Sequence, residues 1–185
     1  MTDLAELADV VKAMGRDLTD AEKRKAEPVL EKASELFRHH SKQLFTPGES
    51  EVRLLAHGGK VYLRQRPVTA VLSVTDDHGR EVPFTRFQQW LTIDGPRAVI
   101  VKYQHGGEVP ALVRTTVAEV CKKVLSVSKR AQEGITQYST TDGPFTDSET
   151  YATWAQGGQT TLAPEDKAIA ESFRVKVPRL WVSSA

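Results

Sequence analysis

The stretch that most constrains this chain is Pro110–Arg130. There Leu112/Val113, Thr116/Val117, Val120/Cys121 and Val124/Leu125 recur every four residues. That is the spacing of one face of an α-helix. The opposite face carries Arg114, Thr115, Glu119, Lys122, Lys123 and Ser126. Pro110 suits the first turn, where a missing N–H costs nothing. Lys129 and Arg130 sit near the far end, where cations complement the helix dipole. About twenty residues make a rod of roughly 30 Å. Val113, Val117, Val120 and Val124 are β-branched, so propensity does not select a helix here. Burial does: each buried aliphatic side chain contributes about 1.5–3 kcal/mol, more than the propensity penalty. The stretch is predicted to be a core helix with a wet, basic outer face.

Upstream, residues 3–14 place Leu4, Leu7, Val10, Val11 and Met14 on one side of a short helix, with Gly15 as its stop. Thr19 and Glu22 form a capping box that opens a second helix. Its face is Ala26, Val29, Leu30, Ala33, Leu36, Phe37, His40 and Leu44. Pro28 interrupts the run: either the helix kinks there, or the true helix starts near Glu27. Thr46–Ser50 reads as a loop.

Residues 51–104 change character. Glu51–Ala56 and Lys60–Arg64 flank His57-Gly58-Gly59, a hairpin signal. Val68–Thr75 alternates, with Val68, Ala70, Leu72 and Val74 on one face. After the turn Asp76-Asp77-His78-Gly79 come weaker strands at Glu81–Thr85 and Gln89–Ile93, then a clear one at Ala98–Tyr103. Residues 134–161 are rich in Gly, Ser, Thr, Gln and Asp, with Tyr138, Phe145, Tyr151 and Trp154 spaced through them. They read as a long irregular loop, a feature that is functional or disordered when it occurs; the aromatics argue against simple disorder. Pro164 opens a last helix with Ala168, Ile169 and Phe173 inward, and an apolar, basic tail follows with Arg179, Leu180 and Trp181.

These parts predict an α+β fold: a mainly helical core with an inserted small antiparallel β subdomain and an extended C-terminal arm. The expected division is 1–133, with the β insertion at about 51–104, and 134–185 as arm, short helix and tail. The 185 residues suit one domain with appendages.

The chemistry sought in the residues is mostly missing. His39 and His40 are adjacent and point about 100° apart on a helix, so they do not make an i, i+4 metal pair. His57 and His105 each precede Gly-Gly, a repeat that reads more readily as polar turns than as a paired metal site. His78 lies in a turn. No zinc spacing, nucleophile elbow, phosphate loop or dinucleotide fingerprint occurs. Cys121 is the single cysteine and sits among valines, which argues against a nucleophile and, with no possible disulfide framework, fits a reducing compartment. The acidic start Met1–Glu6 is unlike a signal peptide, and no stretch reaches membrane-spanning length. No enzyme activity, cofactor or metal is expected.

A net charge of +1 gives no global case for nucleic acid. Basic character is local, at Lys60, Arg64 and Arg66 and along Lys122, Lys123, Lys129 and Arg130. The reading is solvated surface, or a surface for a polyanion, a channel or a neighbouring subunit. Tyr138, Phe145, Tyr151, Trp154 and Trp181 either fold back on their own domain or reach a neighbour, since exposed apolar patches mark contacts.

The order of parts resembles the head-to-tail connector (adaptor) proteins of tailed bacteriophages. The resemblance is carried by Leu18–Glu22 leading into Val29–Arg38, and by Leu63–Val68 before Val71–Val74. It continues through Gly106–Pro110 opening the Val-rich helix, Gly134–Ser139 and Leu162–Glu165. It spans most of residues 18–173. The resemblance implies a homo-oligomeric ring, dodecameric in related connectors, docked under the portal protein. Such a ring joins the portal to a neck stopper or tail-completion protein and lets genomic DNA pass. It implies a place in the virion neck, with assembly in the host cytoplasm, and neither enzyme activity nor cofactor. Tyr138, Phe145, Tyr151, Trp154, Arg179, Leu180 and Trp181 would then serve subunit or partner contacts. A nucleic-acid-binding accessory protein is the second reading and a hydrolase or metalloenzyme the third.

Overall fold

A computed structural model describes residues 2–127, 137–142, 145–150 and 159–176. They belong to two compact units, one drawn from Met1–His40 with Ala111–Ala170 and the other from Ser41–Pro110 with Glu171–Ala185.

The first unit is built on helices. α1 (Leu7–Met14) starts later than the apolar spacing predicts, because Glu6 takes the cap position and its N–H donates to Asp9 Oδ2 at 3.0 Å. Leu4 and Ala5 are buried ahead of the helix instead. Gly15, at φ +70°, closes it, with its N–H on the Val11 carbonyl. α2 (Asp20–Ser41) opens on the expected capping box: the Thr19 N–H donates to Glu22 Oε2 at 2.8 Å, and the Glu22 N–H donates to Thr19 Oγ1 at 3.3 Å. Arg16 adds two hydrogen bonds to the same carboxylate and, with the Thr19 donors, holds its pKa down to about 2.

α2 continues through Pro28, so a start near Glu27 is ruled out. Pro28 and Arg24 are both exposed, which leaves the carbonyl freed by the proline open to water. Ala26, Leu30, Ala33 and Phe37 are buried along one face. Leu44 lies past the helix end, where Lys42 turns the chain at φ +56°.

α3 (Ala111–Leu125) is the predicted core helix, with fifteen residues rather than about twenty. Val113, Thr116, Val117, Val120 and Cys121 are buried as the spacing requires, and Ala118 joins them. Leu112, in the first turn, is 52% exposed. α1 packs against α3. α4 (Pro164–Ser172) begins at the expected proline but turns Asp166 and Ala170 inward, while Ala168 is exposed.

The segment 134–161, read as an irregular loop, contains a hairpin. β7 (Gln137–Asp142) and β8 (Phe145–Thr150) pair antiparallel from Gln137↔Thr150 to Asp142↔Phe145. Thr, Tyr and Phe favour extended pairing, and Gly143-Pro144 punctuates the sequence between the strands.

The second unit overturns the expected mainly helical core with a small β insertion. It holds two three-stranded antiparallel sheets, ordered β1-β6-β3 and β2-β5-β4. The first contains β1 (Gly48–Leu55), β3 (Val68–Thr75) and β6 (Ala98–His105). The second contains β2 (Lys60–Tyr62), β4 (Phe84–Phe87) and β5 (Trp90–Ile93). They share a core of their own, including Leu54, Val61, Leu63, Leu91, Val99, Val101 and Tyr103. With that much apolar surface inside, this is a folding unit rather than an appendage to helices.

Partner choice differs from the local signals. The His57-Gly58-Gly59 turn forms, with a bridge between His57 and Lys60, but β1 then pairs with β6 and β2 with β5. β1 also starts three residues earlier than predicted, at Gly48, inside what read as a loop. β3 slips register against β6 between Val68 and Ala70 and again between Val71 and Ser73. Such irregularities turn side chains to the other face. Val71 therefore packs on the core, and Leu72, expected inward, is 47% exposed.

Outside the strands, two glutamines clamp Lys42–Leu44 to Arg64–Arg66 reciprocally. Gln43 Nε2 donates to the Arg64 carbonyl at 2.6 Å, and its Oε1 accepts the Arg66 N–H at 2.9 Å. Gln65 Oε1 accepts the Leu44 N–H at 2.8 Å, and its Nε2 donates to the Lys42 carbonyl at 3.2 Å. At the end of β6, Gly106 has φ +85° and lies so close to Thr46 that a Cβ would sit 2.1 Å from its carbonyl oxygen. Only glycine fits both demands.

His105, read as a polar turn residue, is buried in the last position of β6. Its Nε2 is 2.9 Å from Ser50 Oγ, and its Nδ1 has no hydrogen-bond partner among the described residues. Gly48 lies opposite and leaves space for the ring, since a Cβ there would be 3.3 Å from the imidazole. Burial pushes the imidazole below its ordinary value of 6.5. Below that value the unfolded chain binds a proton that the folded chain refuses, so lowering pH favours unfolding. Urea midpoints are expected to fall as pH drops from 6.5 toward the lower folded-state pKa. A His105→Gln chain should lose that part of the slope, and an unchanged slope would contradict this assignment.

Candidate functional site

The basic face of α3 is the first candidate, and the structure gives its lysines partners. Lys122 Nζ lies 3.3 Å from Glu119 one turn back, with both side chains 39% exposed. Lys123 Nζ lies 2.9 Å from Asp166 Oδ2 and 3.2 Å from Oδ1. The Asp166 side chain is only 8% exposed. Its Oδ2 also accepts the Ala163 N–H at 3.2 Å, closing the first turn of α4. Lys123 therefore neutralises a buried carboxylate and ties the start of α4 to α3. Lys129 and Arg130 lie outside the described residues.

Of the aromatic and tail candidates, Tyr138 falls in β7 opposite Glu149, and Phe145 opens β8 opposite Asp142. Tyr151, Trp154, Arg179, Leu180 and Trp181 lie outside the described residues. The histidines are dispersed. His39 and His40 meet edge to face at 5.5 Å on α2, His57 is partly buried beside its turn, His78 is exposed and His105 is buried. Among the described residues no group of three or more His, Cys, Asp or Glu side chains is placed to hold a metal ion. Cys121 Sγ lies 3.9 Å from the Ala26 carbonyl, and burial pushes its thiol up to about 11, which keeps it protonated and unreactive at neutral pH.

A 660 Å³ cleft runs between the Leu55–Gly59 and Ile93–Arg97 segments. Its walls are tied by hydrogen bonds from the Ala56 N–H to the Arg97 carbonyl and from the Ile93 N–H to the Gly59 carbonyl.

The site that sequence reasoning missed lies on the second sheet. Tyr62 pairs directly with Trp90, and Trp90 with Phe87, so the three side chains form one cross-strand row on one face. Ring centroids are 4.7 Å apart for Phe87–Trp90 and 6.4 Å for Tyr62–Trp90. Lys60, two residues from Tyr62 on the same face, holds its Nζ 5.8 Å from the centre of the Trp90 ring. The opposite face buries Val61 and Leu91 completely. Phe87 is 55% exposed. The residues were visible in the sequence, but their adjacency depends on β5 pairing with both β2 and β4.

No protein-family model matches this chain, and no curated protein matches it. Among the described residues no helix is long and apolar enough to cross a membrane.

The Lys123–Asp166 geometry separates two charge reversals that sequence alone treats alike. Lys123→Glu is expected to lower folding stability by at least about 1–3 kcal/mol, because it removes the countercharge of a mostly buried carboxylate and sets a second negative charge beside it. Lys122→Glu should stay within about 0.5 kcal/mol, as exposed pairs do. Chemical denaturation of both variants measures the difference, and equal losses would contradict the structural role of Lys123.

Proposed function

We propose that this chain is a structural head-to-tail connector (adaptor) of a tailed phage. In this reading it forms a ring that joins the portal to a neck stopper or tail-completion protein and lets DNA pass. It works in the virion neck, without catalysis or cofactor.

One observation carries the reading furthest: β7 and β8 pair with each other and with no third strand among the described residues. A two-stranded hairpin alone is marginal in water and needs a further strand or a packing surface. A hairpin whose sequence includes Tyr138 and Phe145 suits an arm completed by a neighbouring subunit. Four of the segments that carry the resemblance also fall where elements begin. Leu18–Glu22 enters α2, Leu63–Val68 leads into β3, Gly106–Pro110 into α3 and Leu162–Glu165 into α4. Lys122 and Lys123 already hold carboxylates, so the subunit contacts of this reading rest on the hairpin first.

Light scattering at high protein concentration, with binding to purified portal particles, tests this. The intact chain is expected to oligomerise or to bind portals. Deleting 137–150 should weaken that association at least about tenfold, or about 1.4 kcal/mol. A strict monomer that also fails to bind portals would sink the proposal.

A further inference from the structure

The solvent face of an antiparallel sheet ordinarily carries polar side chains. On the β2-β5-β4 sheet it carries the row Tyr62, Trp90 and Phe87, of which Phe87 is exposed and Tyr62 and Trp90 are half-buried. The core is already filled from the other side by Val61 and Leu91, so burial in the core does not explain three aromatics here. Strands about 4.8 Å apart make the row about 10 Å across, room for two or three stacked bases.

Charge selects the partner. The strands Lys60–Tyr62, Phe84–Phe87 and Trp90–Ile93 contain two cations and no carboxylate. Arg86 donates to the Val68 and Thr69 carbonyls. Lys60 stands on the aromatic face itself, and exposed Arg64 follows Tyr62 by two residues. The nearest acid along these strands is Asp94, directly after β5 and beyond the Lys60↔Thr92 end of the face. Thr85 and Thr92 pair beside the aromatics and add hydroxyls. An apolar protein partner would be matched by an apolar surround. This row is instead flanked by an ammonium and hydroxyls.

We propose that this face binds single-stranded nucleic acid, with bases stacking on Phe87, Trp90 and Tyr62 and a phosphate meeting Lys60. Stacking platforms with adjacent cations bind single strands in this way, with little sequence preference. A duplex keeps its bases inside the stack and offers the row nothing to stack on. The inference does not depend on the connector reading.

Fluorescence anisotropy of the full chain with labelled oligo-dT and oligo-U of about 16 nucleotides tests it, with a duplex of equal length as a third arm. Tighter binding of either single strand than of the duplex is expected, and the two strands show whether the face prefers DNA or RNA. Phe87→Ala should weaken that binding about tenfold. Lys60→Gln should reduce the slope of log affinity against log salt by about 0.7. Phe87 is more than half exposed, so its truncation should lower the thermal melt only by the loss of one cross-strand contact with Trp90 and leave the chain folded. No single-strand binding up to about 100 µM, equal or tighter duplex binding, or undiminished binding by Phe87→Ala would overturn the proposal. So would a Phe87→Ala chain that loses portal binding while the unaltered chain ignores both oligonucleotides, because the face would then belong to a protein partner.

Discussion

The second unit depends on β6. This strand pairs with β1 on one side and β3 on the other, from Ala98 to His105. Its alternate residues Val99, Val101, Tyr103 and His105 are all buried, while Lys102 and Gln104 on the other face are not. Being central removes the strand's own edge problem. It also fixes where its flanks must go. Gly48 has to be small because it faces His105, and Gly106 has to be glycine because the chain leaves the sheet against Thr46. The buried Tyr103 hydroxyl accepts the Gln65 N–H, which places the Gln43/Gln65 clamp beside the same strand.

What the sequence made legible was periodicity. The buried face of α3, the Thr19/Glu22 cap, the Gly15 stop and the alternation of β6 all follow from spacing within one element. Pairing across long separations was not legible. The Gly58-Gly59 turn announces a hairpin, yet β1 and β2 find partners about fifty and thirty residues away. In β3 the alternation is correct locally, and two register irregularities move Val71 and Leu72 away from it. Taken one at a time the strands are short pieces, which favours a mainly helical expectation. Their shared core shows only when all six are assembled.

The same distinction governs the candidate sites. Lys123 looks like any outward lysine until Asp166, distant in sequence, is seen buried beneath it. A surface read as free for a partner is then partly a structural contact. Tyr62, Phe87 and Trp90 are unremarked as separate residues and become a surface only through the register of β5. His105 moved the other way, from a polar turn residue to a buried imidazole held against Ser50.

Among the described residues β7 and β8 pair only with each other, and the β2-β5-β4 sheet carries a row of aromatics on its outer face. The connector reading gives the hairpin a neighbouring subunit to complete it. Negatively stained images of the purified chain, alone and mixed with portal particles, address that claim most directly. The account predicts rings of the chain itself or an added ring-shaped layer on the portals. Dispersed single subunits beside unaltered portal particles would contradict it.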